Sequence, residues 1–361
     1  VLLLALLWLI AAANQSVAPA IARDTAQSPT STVYDVFVGR ESDAVRVYFV
    51  DARTGLSTVV PADGSRHTLL AEGVIFQEAA TGIVRIATPD GRAAIFAAIQ
   101  PVLPGVSVEW AVSPHRTRIA WTVTVGGAGA MVSDLYIAQA SGEDTRLALH
   151  TTSTQGLGVL PLMVADDGAH VFYTRRTDLL EARPVPLTVE DVFRLDVATG
   201  LSDLLPEAEG CPCPVAFSAD GIQFARLEPL AQSGFVLRMW DLPSGLETLI
   251  APPRLGAGAA FDRGGATLIL PDGRRALYTA ARGTTQPRNA LILAEAGRPE
   301  QRVITDRLPA FLRPVDYLPG SNAVLLIGSD GEGTYKVSLE DGAIVRVSAY
   351  TYLGQIPVPG F

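Results

Sequence analysis

The chain has 361 residues, with 28 Lys+Arg against 37 Asp+Glu, and a net charge of −9. No basic footprint is present, which excludes nucleic acid as a partner held by phosphate neutralisation. Hydrophobic residues make up 48% and charged residues only 18%, so the chain can bury a large core and is not disordered over most of its length, while 33 glycines and 25 prolines point to many turns and short strands.

From the amino terminus, residues 1–13 form an apolar run. It is shorter than the roughly 20 residues of a membrane span but matches the apolar region of a signal peptide. The segment Ala18-Pro19-Ala20-Ile21-Ala22 follows with small residues suited to cleavage. Residues 1–22 therefore read as a signal peptide lacking a basic start, and residues 23–31 as a linker. No cysteine follows that would carry a lipid anchor, and no later run is apolar enough to span a membrane. The mature chain is expected to be secreted, periplasmic or in the cell envelope.

Residues 32–361 read as one domain built from repeats. A strand, a glycine turn and a second strand recur from VYFVDARTGLSTVV (47–60) to YKVSLEDGAIVRVS (335–348), with turn glycines Gly55, Gly91, Gly142, Gly200, Gly245, Gly297 and Gly342. A second hairpin precedes the later copies, with turns beginning at Ser113, Ala165, Ser218, Leu270 and Leu318. Together they give units of four strands and about 48 residues, the signature of β-propeller blades. A lone four-stranded sheet leaves two apolar faces uncovered, and stacking blades around an axis buries them. The fold class is thus all-β, a propeller of four-stranded antiparallel blades. Seven turn glycines give seven blades, and the degenerate first two units leave six open. The first unit lacks an inner strand, and residues 355–361 are expected to supply it and close the ring.

The pattern Ser-Ala-Asp-Gly-x-x-x-Ala at 218–225 and the pattern Asp-x-x-Thr/Ser-Gly-Leu at 196–201 and 241–246 resemble the WD40-like repeats of TolB-type bacterial propellers. The resemblance covers about residues 32–348. It implies protein or ligand binding. The amino-terminal α/β domain that accompanies the repeats in TolB is not expected here, nor is a hydrolase domain of the propeller peptidases.

In such blades the turns joining strands one to two and three to four share one face. The connections joining strands two to three, and blade to blade, share the other. The second-to-third connections read as long loops at 122–134, 174–191, 226–234, 279–289 and 328–334, so a binding site is expected on that face. Its candidates are Asp134, Arg175, Arg176, Asp178, Glu181, Arg226, Glu228, Arg282 and Arg288, the arginines being suited to carboxylates. Trp121, Tyr173 and Tyr278 read as blade-packing aromatics or as the lining of a channel mouth. Catalytic motifs are missing: there is no nucleophile elbow, phosphate loop or His-Glu-x-x-His. No catalytic residue, cofactor or metal is expected. The Asp-rich piece at 329–333 reads as a glycine turn. Cys211 and Cys213 read as two packed thiols or a local disulfide.

Two functions follow from different classes. The first is a non-catalytic scaffold that binds an envelope or extracellular protein or a small ligand. The alternative is an extracellular hydrolase or lyase acting on carbohydrate, with carboxylates drawn from separate blades, Asp134, Asp178 and Glu228 foremost. A structural module for surface assembly is a third.

Overall fold

Alternating apolar and polar residues make half-buried strands, and in a computed structural model 29 of them, among the described residues, assemble into seven sheets. The structure describes residues 33–99, 105–127, 129–177, 188–206, 211–230, 234–254, 260–283, 287–328 and 332–357. The predicted signal peptide and linker lie outside them.

Blade 1 begins with β1 (Val33–Glu41), β2 (Ala44–Asp51) and β3 (Ser57–Pro61). Blade 2 is β4 (Gly64–Leu69), β5 (Val74–Glu78), β6 (Val84–Ala87) and β7 (Ala93–Ile95). Blade 3 is β8 (Val106–Val112), β9 (Arg118–Gly127), β10 (Ala130–Gln139) and β11 (Arg146–Ser153). Blade 4 is β12 (Gly158–Val164), β13 (His170–Arg176), β15 (Phe193–Asp196) and β16 (Ser202–Leu204), with the short β14 (Thr188–Val189) leaving it. Blade 5 is β17 (Cys213–Phe217), β18 (Gln223–Leu230), β19 (Gly234–Asp241) and β20 (Leu246–Ile250). Blade 6 is β21 (Arg263–Ile269), β22 (Arg275–Arg282), β23 (Arg288–Glu295) and β24 (Arg302–Leu308). Blade 7 is β25 (Arg313–Leu318), β26 (Ala323–Ile327), β27 (Thr334–Ser338) and β28 (Ile344–Ser348). The last strand, β29 (Thr351–Pro357), returns to blade 1 and pairs with β1 from Val33↔Pro357 to Val38↔Thr351. The blades number seven, and the carboxyl-terminal segment supplies the missing inner strand, beginning four residues earlier than the sequence suggests.

All seven turn glycines join the third and fourth strands of their blades, and all have φ between 69° and 90°. That conformation is open to glycine at no steric cost. The Asp-x-x-Thr/Ser-Gly-Leu pattern acts at the same turns. In blade 4 the Asp196 carboxylate accepts from the backbone N–H of Ala198 and Thr199, at 3.0 and 2.8 Å, while Thr199 Oγ1 accepts from the Leu201 N–H. Asp51 and Asp241 repeat this device in blades 1 and 5. The motif is thus a self-contained turn, with its side chains supplying hydrogen bonds that the strands no longer provide.

Core residues lie between blades. One cluster joins Leu227, Leu237 and Ile250 of blade 5 to Tyr278 and Ile292 of blade 6; another joins Phe37 and Tyr48 of blade 1 to Leu325 and Ile327 of blade 7. At three junctions a hydroxyl fastens a blade to the chain entering the next. Ser133 Oγ accepts from the Val159 N–H at 3.1 Å, and Thr279 Oγ1 donates to the Leu312 carbonyl at 2.7 Å. At the ring closure Thr334 Oγ1 donates to the Tyr350 carbonyl at 2.7 Å and accepts from the Tyr352 N–H at 2.9 Å. Tyr278, packed with no exposure, donates its hydroxyl to Gln301, whose amide reaches the Phe235 and Ile250 carbonyls of blade 5. Trp121 and Tyr173 are equally enclosed, so all three aromatics pack blades rather than line a mouth.

Candidate functional site

The antiparallel order places β1's start, the turns at 113–117 and 196–201, and the end of β29 on one face. On that face His115 and Asp166 tie blades 3 and 4 together through two hydrogen bonds of 2.9 and 2.6 Å. Arg116, from the same blade 3 turn, donates to the Gln355 carbonyl on the innermost strand of blade 1. This side chain joins blade 3 to blade 1 on the short-turn face.

The opposite face carries the second-to-third and blade-to-blade connections. The second-to-third ones are mostly shorter than the sequence implies. Residues 122–127 and 130–134 are not a loop but the paired ends of β9 and β10. Likewise 226–230 continue β18, and 279–282 with 288–289 continue β22 and β23. Small polar residues caused the misreading. Thr124 and Ser133 resemble loop residues, yet both are buried and share a 2.8 Å hydrogen bond inside the hairpin. The one long second-to-third connection among the described residues is that of blade 4. Its distal part, residues 188–189, crosses to blade 5 as β14 and pairs with the inner strand β17 through Thr188↔Pro214 and Val189↔Cys213.

The sequence candidates occupy different environments. Asp134 stands in β10, and its carboxylate accepts from His150 Nδ1 at 2.6 Å. Glu228 stands in β18 and accepts from Arg238 Nε at 2.7 Å. Arg226 is wholly buried. Its guanidinium donates to the carbonyls of Pro206 at 2.9 Å, Glu190 at 2.8 Å and Val189 at 3.4 Å. It is therefore a strand residue that fixes the base of the blade 4 insertion, and not an exposed loop arginine. Arg175 lies with its guanidinium carbon 4.7 Å from the Phe193 ring centroid. Arg176 is close enough to Glu109 to favour its charged form. Arg282 and Arg288 face each other across β22 and β23, and Arg288 lies 3.7 Å from Asp306. Asp178 and Glu181 lie outside the described residues. The structure brings Arg226 and Glu228 onto one strand and Arg282 and Arg288 onto one hairpin, but it does not gather the nine into one cluster.

Residues that the sequence did not single out line the inner strands instead. Arg66, in β4, donates to the Val108 carbonyl at 2.6 Å and pairs with the Glu109 carboxylate in β8. Its guanidinium carbon is 4.6 Å from the Trp110 ring, and Trp110 Nε1 donates to Thr68 Oγ1 at 2.9 Å. Burial pushes the Glu109 carboxyl above the usual glutamate range, against the pull of Arg66 and, more weakly, Arg176. Arg263, Phe311 and Arg313 stand where the inner strands of blades 6 and 7 begin. Only the first-strand position of Arg263 and Arg313 within the repeat would have pointed to them.

Cys211 and Cys213 form a disulfide at the start of β17, beside Val189. Among the described residues no group of three or more His, Cys, Asp or Glu is placed to hold a metal ion. No described helix is long and apolar enough to cross a membrane.

No family model matches the chain, and no curated protein sequence matches it. Its likeness to solved structures is one of fold. A prolyl endopeptidase structure aligns at 11% identity and a TM-score of 0.59, over 92% of this chain and 51% of that one. Oligogalacturonate lyase from Vibrio parahaemolyticus aligns at 10% identity and 0.54, over 90% and 93%. TolB from Acinetobacter baumannii aligns at 16% identity and 0.41, over 75% of this chain and 65% of that one, so the chain spans just under two thirds of that TolB. At these identities the propeller architecture is what is shared.

Proposed function

We propose that this protein is an exported TolB-type propeller that acts as a binding scaffold for a protein or small ligand, without catalysis, through the face bearing the blade 4 insertion. The Arg226 clamp carries this reading. A wholly buried arginine directs its guanidinium to the carbonyls of Val189, Glu190 and Pro206. Burying such a charge is costly unless it is hydrogen-bonded. Here the hydrogen bonds fix where the insertion rejoins the blades, as a rigid framework does for a recognition loop. The Ser-Ala-Asp-Gly and Asp-x-x-Thr/Ser-Gly-Leu turns support the TolB-type assignment. Export is supported by the apolar run at 1–13 and by the Cys211–Cys213 disulfide, since such bonds persist in oxidising compartments.

The carbohydrate hydrolase or lyase reading is less well supported. Its acidic candidates Asp134 and Glu228 are engaged by His150 and Arg238. The test is affinity capture from an envelope or culture fraction with the intact chain. Replacing residues 178–187 by a Gly-Ser linker should abolish capture, and altering the short turn at 166–168 should not. Capture that survives the first change and fails with the second refutes the face assignment.

A further inference from the structure

The connection from blade 6 to blade 7 has a feature that packing does not explain. Leu312 is buried, and Thr279 holds its carbonyl at 2.7 Å. Its neighbours Phe311 and Arg313 therefore turn outward together, and Phe311 remains 40% exposed. The Phe311 ring rests against β21 at Gly265. A Cβ on Gly265 would lie 2.8 Å from the ring's Cζ and 2.5 Å from Thr279 Oγ1, so glycine is what lets the ring lie down there. On the other side the Arg263 guanidinium carbon is 5.9 Å from the ring centroid. Arg263 and Arg313 are each the first residue of the innermost strand of adjacent blades, so they stand at one height on the long-loop face.

Their charges differ in availability. Arg263 donates to the Gly283 carbonyl at 3.0 Å and lies 3.7 Å from Asp262. The Arg313 guanidinium has no hydrogen-bond or ion-pair partner among the described residues. Water reaches it, yet crowding by protein holds its pKa below the usual guanidinium range.

We propose that Phe311, Arg313 and Arg263 form a binding site for a carboxylate-bearing ligand with a planar or apolar body, the carboxylate on Arg313 and the body on the Phe311 ring. A guanidinium presents a fork that matches a carboxylate, and an aromatic ring offers a flat surface of large area. Arg263 is shared with Asp262, so the carboxylate is assigned to the Arg313 guanidinium. The site deepens the binding-scaffold reading and rests on it, because it takes the long-loop face as the binding face. The carboxylate would come from a free small acid or from an acidic side chain of a peptide.

The experiment is a ligand-observed NMR titration of the intact chain with benzoate and with benzamide, at low salt. Benzoate should saturate at millimolar concentration, and benzamide should bind at least tenfold more weakly. Arg313→Gln should weaken benzoate at least tenfold, and the short-turn variant Arg118→Gln should leave it unchanged, with both variants melting as the parent does. A doubly capped Asp-Phe dipeptide then separates the sources. Tighter binding than benzoate assigns the site to an acidic peptide, and weaker binding assigns it to a free acid; either ranking supports the site when Arg313→Gln abolishes it. Equal binding of benzoate and benzamide, no saturable benzoate binding, or full binding by Arg313→Gln overturns the proposal. If the site fails in this way while replacing 178–187 still removes a captured partner, the scaffold reading stands alone.

Discussion

Ring closure offers the sharpest quantitative test, through Thr334→Val. Valine keeps the shape of threonine in the buried site on β27 but replaces the hydroxyl by a methyl group. Two backbone groups on the closing strand then lose their partner: the Tyr352 N–H, which is buried, and the Tyr350 carbonyl, which is partly buried. A buried polar group left unsatisfied costs about 1–3 kcal/mol. Assigning about 2 to the N–H and about 1 to the carbonyl gives a destabilisation of about 3 kcal/mol. In a protein of this size that lowers Tm by about 4 °C. Thr279→Val is the internal reference, because it deprives only the Leu312 carbonyl and should cost about 2 kcal/mol or less. The assay is urea unfolding followed by tryptophan fluorescence, with the slope m expected to stay constant. A loss below about 0.5 kcal/mol for Thr334→Val, or a loss smaller than that of Thr279→Val, refutes the view that this hydroxyl fastens the closing strand.

Other outcomes follow from the same structure. Arg226→Met should destabilise by about 3–5 kcal/mol, by leaving buried carbonyls unpaired, while Arg288→Gln should stay within about 0.5 in the same urea assay. Glu109 has a folded pKa raised by burial, so the folded state holds its proton more tightly than the unfolded chain. Its contribution to stability therefore falls as pH rises from the ordinary glutamate value through the raised one, and the stability gap between the parent and Glu109→Gln should shift in the Gln variant's favour across that window. Asp196 and Asp241 behave oppositely, because hydrogen bonds from Thr199 and Ser244 hold their pKa values down. Their stabilisation is present above the ordinary aspartate value and disappears as pH falls through the lowered one, so Asp241→Ala should flatten the acid limb of a Tm-against-pH curve. Alkylation should label neither Cys211 nor Cys213 before reduction and both after it, read by mass spectrometry.

The architecture was legible because its signals are local. Each turn glycine must have positive φ, and the Asp-x-x-Thr/Ser-Gly-Leu turns satisfy themselves within six residues. The connections were less legible, because a strand does not end where its apolar alternation ends. Thr122 and Thr124 continue the β9 ladder, with Thr124 paired to Ser133 inside a hairpin, and nothing in their identity reports that distant partner. Arg226 was read as a loop cation for a related reason. The carbonyls that hold it lie 20 to 37 positions away, and only the fold brings them together. Phe311 escaped notice because it precedes the blade 7 inner strand, and Arg313 because it opens that strand, where the repeat has no fixed residue.

The pairing of Val33 with Pro357 has a consequence for the whole molecule. The chain enters the ring and leaves it at neighbouring points, on the face that carries the tight turns. Val33 and Pro357 lie side by side there. A tether there, of whatever kind, would aim Phe311, Arg313 and the blade 4 insertion away from the anchoring surface, so the way the ring is sewn shut also sets which side it shows to its surroundings.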